Sequence, residues 1–142
     1  MTTLNPYLNF NGNAEEAFNF YKSAFGGEFT MIQRYKDTPD GNKMPADEQD
    51  KIMHISLPIG KGNILMATDA VGSMGQGLIA GNNFHLSLTT ESKEETDKLF
   101  NALSAGGKIK MPLEKTFWNA YFGMFTDKFG IQWMVNYDYN QK

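Results

Sequence analysis

Apolar positions along this chain switch between two periods. From Thr3 to Phe10, Leu4, Tyr7, Leu8 and Phe10 mark a short strand whose start Pro6 confines to an edge, because proline offers no ladder N–H. Ala14, Ala17, Phe18, Tyr21, Ala24 and Phe25 then recur at helical spacing, which predicts an amphipathic helix. Asn13 and Glu16 have the spacing of a capping box at its start, and Gly26-Gly27 ends it. Phe29 to Tyr35 alternates like a half-buried strand. After an acidic connection from Lys36 to Lys51, Ile52 to Thr68 reads as two strands joined by a Gly-containing turn, a hairpin.

The same order follows a second time. Asn83 to Thr89 predicts a strand, and Ser92 with Glu95 a capping box. Thr96, Leu99, Phe100 and Leu103 form a helical stripe ended by Gly106-Gly107, and Lys108 to Met111 another strand. Pro112 to Phe117 is a short connection, and Trp118 to Tyr137 a closing hairpin around Asp127, Lys128 and Gly130. Placing Gly130 over Gly62 puts Phe122 over His54 and Met134 over Met66. The glycine pairs stand eighty residues apart and the hairpins sixty-eight, and the longer acidic loop of the first half accounts for the shift. The pattern predicts two βαβββ modules, residues 1–69 and 83–142, joined by a linker at 70–82 within one domain spanning 1–142.

Composition narrows the chemistry. The 142 residues carry a net charge of −3, with 41% hydrophobic residues and no cysteine. Disulfides, thiol nucleophiles and thiolate metal sites are thereby excluded. Arg34 is the sole arginine and no basic run exists, so nucleic acid is not an expected partner. No apolar run approaches a membrane span, and the first ten residues have neither a basic nor an apolar leader region, so a cytoplasmic protein is expected.

The acids of the Lys36–Lys51 loop lack the alternating register of a calcium loop, and a solvated, mobile loop is the expectation there. Gly75-Gln-Gly77-Leu-Ile-Ala80 fits a dinucleotide fingerprint by letter but precedes a strand rather than a helix, which favours a linker. His54 lies in Met53-His-Ile-Ser-Leu57, where alternation puts Met53, Ile55 and Leu57 on one face and His54 with Ser56 on the other. His54 is then either a base or hydrogen-bond partner in a binding site, or a histidine on a partly exposed strand. His85, beside Asn83 and Ser87 on its face, has the same two readings. Asp69 and Asp127 read as turn acids that accept backbone N–H groups. Met66 and Met134 offer flexible thioethers, suited to an adaptable apolar pocket or to core filling.

The stretches NPYLNFNGNAEEAFNFYKSAFGGEF, MHISLPIG with NILMATD, and LSAGGKIKMPLEKTFWNAYFGMFTDKFGIQWMVN together cover most of the chain. In them the chain resembles the glyoxalase/bleomycin-resistance, or vicinal oxygen chelate, superfamily, and within it the PhnB-like group. The resemblance implies an α+β fold in which the two modules form a curled, incomplete mixed β-barrel with helices outside and a substrate cup between modules. In metal-dependent relatives, His, Gln or Glu from the first and last strands of each module hold a divalent ion. Those positions fall here at Asn5 or Tyr7, Met66, Asn83 with His85 nearby, and Met134, a set poor in hard ligands, so no metal and no other cofactor is expected.

The resulting expectation is a pocket of Asn5, Tyr7, His54, Met66, Asn83, His85, Trp118, Phe122 and Met134 that binds a small apolar or aromatic molecule. Its alternative is a metal-dependent lyase, isomerase or dioxygenase using His54 or His85. A second alternative is a methyltransferase acting on a demethylated quinone, a label borne by some PhnB-like proteins. The resemblance also implies a homodimer.

Overall fold

Strand pairing divides the chain into two four-stranded mixed sheets. The computed structural model describes residues 2–72 and 77–140, so Gly75 and Gln76 of the glycine-rich fingerprint lie outside the described residues. The chain splits into two compact units, Met1–Ile79 and Ala80–Lys142.

In the first unit the strands are β1 (Tyr7–Phe10), β2 (Met31–Arg34), β3 (Ile52–Ile59) and β4 (Asn63–Asp69), with helix α1 (Ala14–Phe25) between β1 and β2. Their order across the sheet is β1-β4-β3-β2, with β1 parallel to β4 and the other pairs antiparallel. Helix α1 packs on β3 and β4. It buries Ala17, Phe18 and Tyr21 in a core with Leu8, Phe10, Ile55, Leu57 and Ala67. Phe10 meets Phe18 edge-on at 6.2 Å.

The second unit repeats this arrangement. Strands β5 (Leu86–Thr89), β6 (Lys108–Lys115), β7 (Ala120–Thr126) and β8 (Gln132–Asp138) take the order β5-β8-β7-β6, and β5 runs parallel to β8. Helix α3 (Lys93–Ser104) packs on β6, β7 and β8 over Phe100, Leu103, Phe125, Trp133 and Val135. The registers make the duplication explicit: Tyr7 stands opposite Met66, and Ser87 opposite Met134. The two-fold βαβββ order is therefore as the periodicity predicts and the α+β class as the resemblance implies, and neither sheet closes into a barrel.

Local details depart from the sequence pattern for identifiable reasons. β1 begins at Tyr7 rather than Thr3, yet pairing extends back without a proline donor: Met66 N donates to Pro6 O, and Ile64 N to the Asn5 side chain at 2.9 Å. Asn13 precedes α1 but makes no capping bond. The buried carboxylate of Asp69 takes that place instead. It accepts Gly12 N at 3.1 Å and Ala14 N at 2.9 Å on one oxygen, and Ile52 N at 2.8 Å on the other. A carboxylate at a helix N-terminus answers both the orphan N–H groups and the helix dipole.

Ser92 does cap α3, accepting Glu95 N at 3.0 Å, while Glu95 reaches back to Glu91 N at 2.8 Å. The 36–51 connection is not a structureless loop. It holds two 3₁₀ turns (Tyr35–Asp37 and Gly41–Lys43) and a short helix α2 (Ala46–Gln49), and Tyr35 N donates to Lys51 O where its ends meet. β6 runs on past Pro112 to Lys115, with register shifts on either side of Met111 that accommodate the proline at a sheet edge.

Candidate functional site

Each sheet has one face on its helix and one face away from it. In the first unit the away face carries Tyr7, Met31, His54 and Ser56, with Met66 and Thr68 alternating along β4. A cavity of about 940 Å³ lies on this face. Tyr7, Asn9, Met31, Gln33, His54 and Thr68 line it from the strands. Thr38, Pro39, Asp40 and Met44 line it from the 36–51 connection, with Tyr35 and Met53 at the base of that connection.

A β-bulge shapes this wall. Gln33 pairs with His54 and Arg34 with Ile52, so Met53 is left as the extra residue. Strict alternation predicts Met53 on the core face. The bulge sends Ile52 into the core instead and turns Met53, with its neighbour His54, to the cavity.

A hydrogen-bonded line crosses the floor. Tyr7 Oη lies 3.3 Å from His54 Nδ1, and His54 Nε2 lies 2.8 Å from Ser56 Oγ. With a neutral imidazole, one ring nitrogen accepts while the other donates, so the two hydroxyls are linked through His54. Burial pushes the Tyr7 phenol above its ordinary value, nearby Tyr35 adds to this, and a hydrogen bond with Thr68 pulls it back. The direction of the Tyr7–His54 bond follows the His54 tautomer. Tyr35 is buried and donates to Asp69 O at 2.8 Å, joining the cavity to the acid that caps α1.

The connection over the cavity is held from outside. Arg34 makes a forked pair with Glu15 at 3.0 and 2.7 Å and donates to Asp50 O at 2.8 Å. Lys36 Nζ reaches Asp50 at 2.7 Å. Gly41 fits beneath only because it has no side chain: a Cβ there would stand 2.2 Å from Tyr35 O and 2.5 Å from Lys36 Cα.

The predicted site residues divide between the units. Tyr7 and His54 line the cavity, and Met66 lies on the same sheet face opposite both Tyr7 and Ser56. Asn5 spends its side chain on β4 backbone. Asn83 is exposed ahead of β5, and His85 has an Nε2 atom that is buried with no hydrogen-bond partner among the described residues. Trp118 is about half exposed in the β6–β7 turn, 6.1 Å from the ring of Phe122. Met134 pairs with Met124 on β7 and faces away from α3.

Asn9, Met31, Gln33, Thr68 and the covering residues escaped the sequence reading. The alternation of Phe29 to Tyr35 signals the shared face of Met31 and Gln33; the covering connection left no comparable signal.

A divalent-metal site of the kind the resemblance implies does not fit these residues. Among the described residues no group of three or more His, Cys, Asp or Glu side chains could hold an ion. His85 supplies one unpartnered nitrogen, whereas Met66 and Met134 offer thioethers, poor ligands for hard cations.

The profile of the Glyoxalase/Bleomycin resistance protein/Dioxygenase superfamily matches residues 3–135. Protein YjdN of Escherichia coli strain K12 is 33% identical over 141 residues, covering 94% of this chain and 93% of that protein. Among solved structures, protein PA1353 from Pseudomonas aeruginosa is 43% identical with a TM-score of 0.85, over 97% of this chain and 98% of that one. The PhnB protein from Bacillus cereus is 29% identical with a TM-score of 0.75, over 96% and 99%.

Proposed function

We propose that this chain, which belongs to the glyoxalase/bleomycin resistance protein/dioxygenase superfamily, binds a small apolar or aromatic molecule on the away face of its first sheet without a divalent ion. The observation that carries the reading is the cavity itself. Met31, Met44 and Met53 line it with flexible thioethers, and Tyr7 and His54 supply a few polar groups at one side. That mixture suits a mostly hydrophobic ligand oriented by one or two hydrogen bonds. The donor set argues against the metal-dependent lyase, isomerase or dioxygenase reading. We place the protein in the cytoplasm, following the character of its sequence, and as a homodimer, following the family resemblance; a monomer mass in sedimentation equilibrium would remove the second part.

The test labels methionine methyl groups with ¹³C and titrates flat aromatic probes. Saturable shifts at Met31, Met44 and Met53, with Met124 and Met134 unmoved, are the expected result. Shifts confined to Met124 and Met134, or none at all, would overturn it.

A second reading has one observation behind it. The Bacillus cereus relative bears the name "Putative 3-demethylubiquinone-9 3-methyltransferase, PhnB protein", and a methyl acceptor of that kind is a flat phenol that this cavity could hold. Transfer of labelled methyl from S-adenosylmethionine to such an acceptor would establish it; no transfer at saturating acceptor would dismiss it.

A further inference from the structure

We infer that the first-unit cavity selects an uncharged aromatic molecule bearing a hydroxyl or carbonyl oxygen, read by Tyr7 and His54, and rejects the matching anion. This rests on the binding reading above and names its ligand class. Charge is the first argument. Among the described residues lining the cavity none is Lys or Arg, and Asp40 is a carboxylate. Around the 36–51 connection Arg34 pairs with Glu15, Lys36 with Asp50 and Lys43 with Asp40 at 3.5 Å, while Lys51 donates to Gly12 O. An anion entering would shed water without gaining a free cation, which is costly in a partly desolvated site.

Hydrogen-bonding capacity is the second argument. Tyr7 Oη, at 3.3 Å from His54, has capacity left to donate to, or accept from, a ligand oxygen. His54 can answer either choice by exchanging tautomers against Ser56, a buried hydroxyl 2.8 Å behind it. The line therefore serves a phenol, which donates, as well as a ketone, which accepts. No carboxylate or phosphate is needed to satisfy it. The thioethers of Met31, Met44 and Met53 adapt to the ring.

Three probes of one shape separate the outcomes: 2-naphthol, 2-methylnaphthalene and 2-naphthoate, each titrated against the ¹³C-methionine protein. The wild type is expected to bind 2-naphthol about ten-fold tighter than 2-methylnaphthalene, one hydrogen bond's worth, and 2-naphthoate more weakly than 2-naphthol. Tyr7→Phe should bring 2-naphthol down to the level of 2-methylnaphthalene and leave the latter unchanged. Asp40→Asn should improve 2-naphthoate alone. Equal affinity for all three probes, or a preference for 2-naphthoate, overturns the inference while the binding reading stands. Binding of none overturns both. The wild-type comparison does not depend on any variant folding.

Discussion

The two units share strand order, register and helix placement, and differ in what their away faces carry. Tyr7, His54 and Ser56 form a polar line on the first sheet under a sixteen-residue connection running from Lys36 to Lys51. On the second sheet Phe122, Met124 and Met134 occupy the matching rows, and the β6–β7 connection is the short turn 116–119. His54 and Phe122 hold equivalent hairpin positions, as do Ser56 and Met124. Backbone pairing and the helix-facing core thus maintain the module, and the opposite face is free to change chemistry. A module's topology says where a site could be, and its away face says what the site does.

The means of securing each unit differ as well. Asp69 ties three chain segments together, holding the start of α1 and the start of β3 from the end of β4. Asp127 works locally: it accepts Phe129 N, Ile131 N and Trp133 Nε1, all within six residues. Removing each acid sharpens the comparison and gives the largest expected effect. Asp69→Ala leaves buried N–H groups unpaired on separate segments, and about 4 kcal/mol is expected in urea denaturation. Asp127→Ala should cost about 2 kcal/mol, because the buried Trp133 indole N–H loses its acceptor while water can serve the part-buried turn amides. Equal losses would show that the two acids play equivalent parts.

The covering connection is the next distinction to break. Gly41→Ala would drive a methyl into the Tyr35 carbonyl. It is expected to lower aromatic-probe affinity about ten-fold or more, with a stability loss of about 2 kcal/mol. Methyl resonances of Met124 and Met134 should stay in place. Unchanged probe affinity in the folded variant would mean the connection does not define the cavity.

The smallest effects separate the units by pH. In the first unit, hydrogen bonding to Arg34 holds the Glu15 carboxyl below its ordinary value. Its contribution is present above the unfolded value and is lost as pH falls through the folded one. In the second unit, Tyr121 donates to Asp97 at 2.6 Å, and that bond, with burial, pushes the phenol up to about 12. Its contribution is complete below the ordinary value of 10.0 and fades as pH rises toward about 12. Glu15→Gln should therefore flatten only the acid limb of the stability profile, by about half a kcal/mol given its exposure. Tyr121→Phe should flatten only the alkaline limb. Both tryptophans belong to the second unit, so their fluorescence reports the alkaline change locally. An acid-limb effect of Tyr121→Phe would contradict the assignment.

What the sequence determined by itself was whatever depends on neighbours in the chain. Helical stripes, alternating strands and the paired glycines at 26–27 and 106–107 state local backbone preferences, and these set the order of elements and the duplication. The role of Asp127 as a turn acid accepting backbone N–H groups was legible for the same reason, as was the shared face of His54 and Ser56. Asp69 read as the same kind of turn acid, but its partners lie seventeen or more residues away. Tertiary structure alone decided the rest. Asn13 has the chemistry of a cap, yet Asp69 takes the helix start from fifty-five residues away. Met53 alternates toward the core until a bulge against β2 turns it to the cavity. The 36–51 connection reads as solvated because Tyr7, Asn9 and Thr68, with which it lines the cavity, lie far off in sequence. Local preference is a property of a few consecutive residues, whereas a cavity is a property of which distant segments meet.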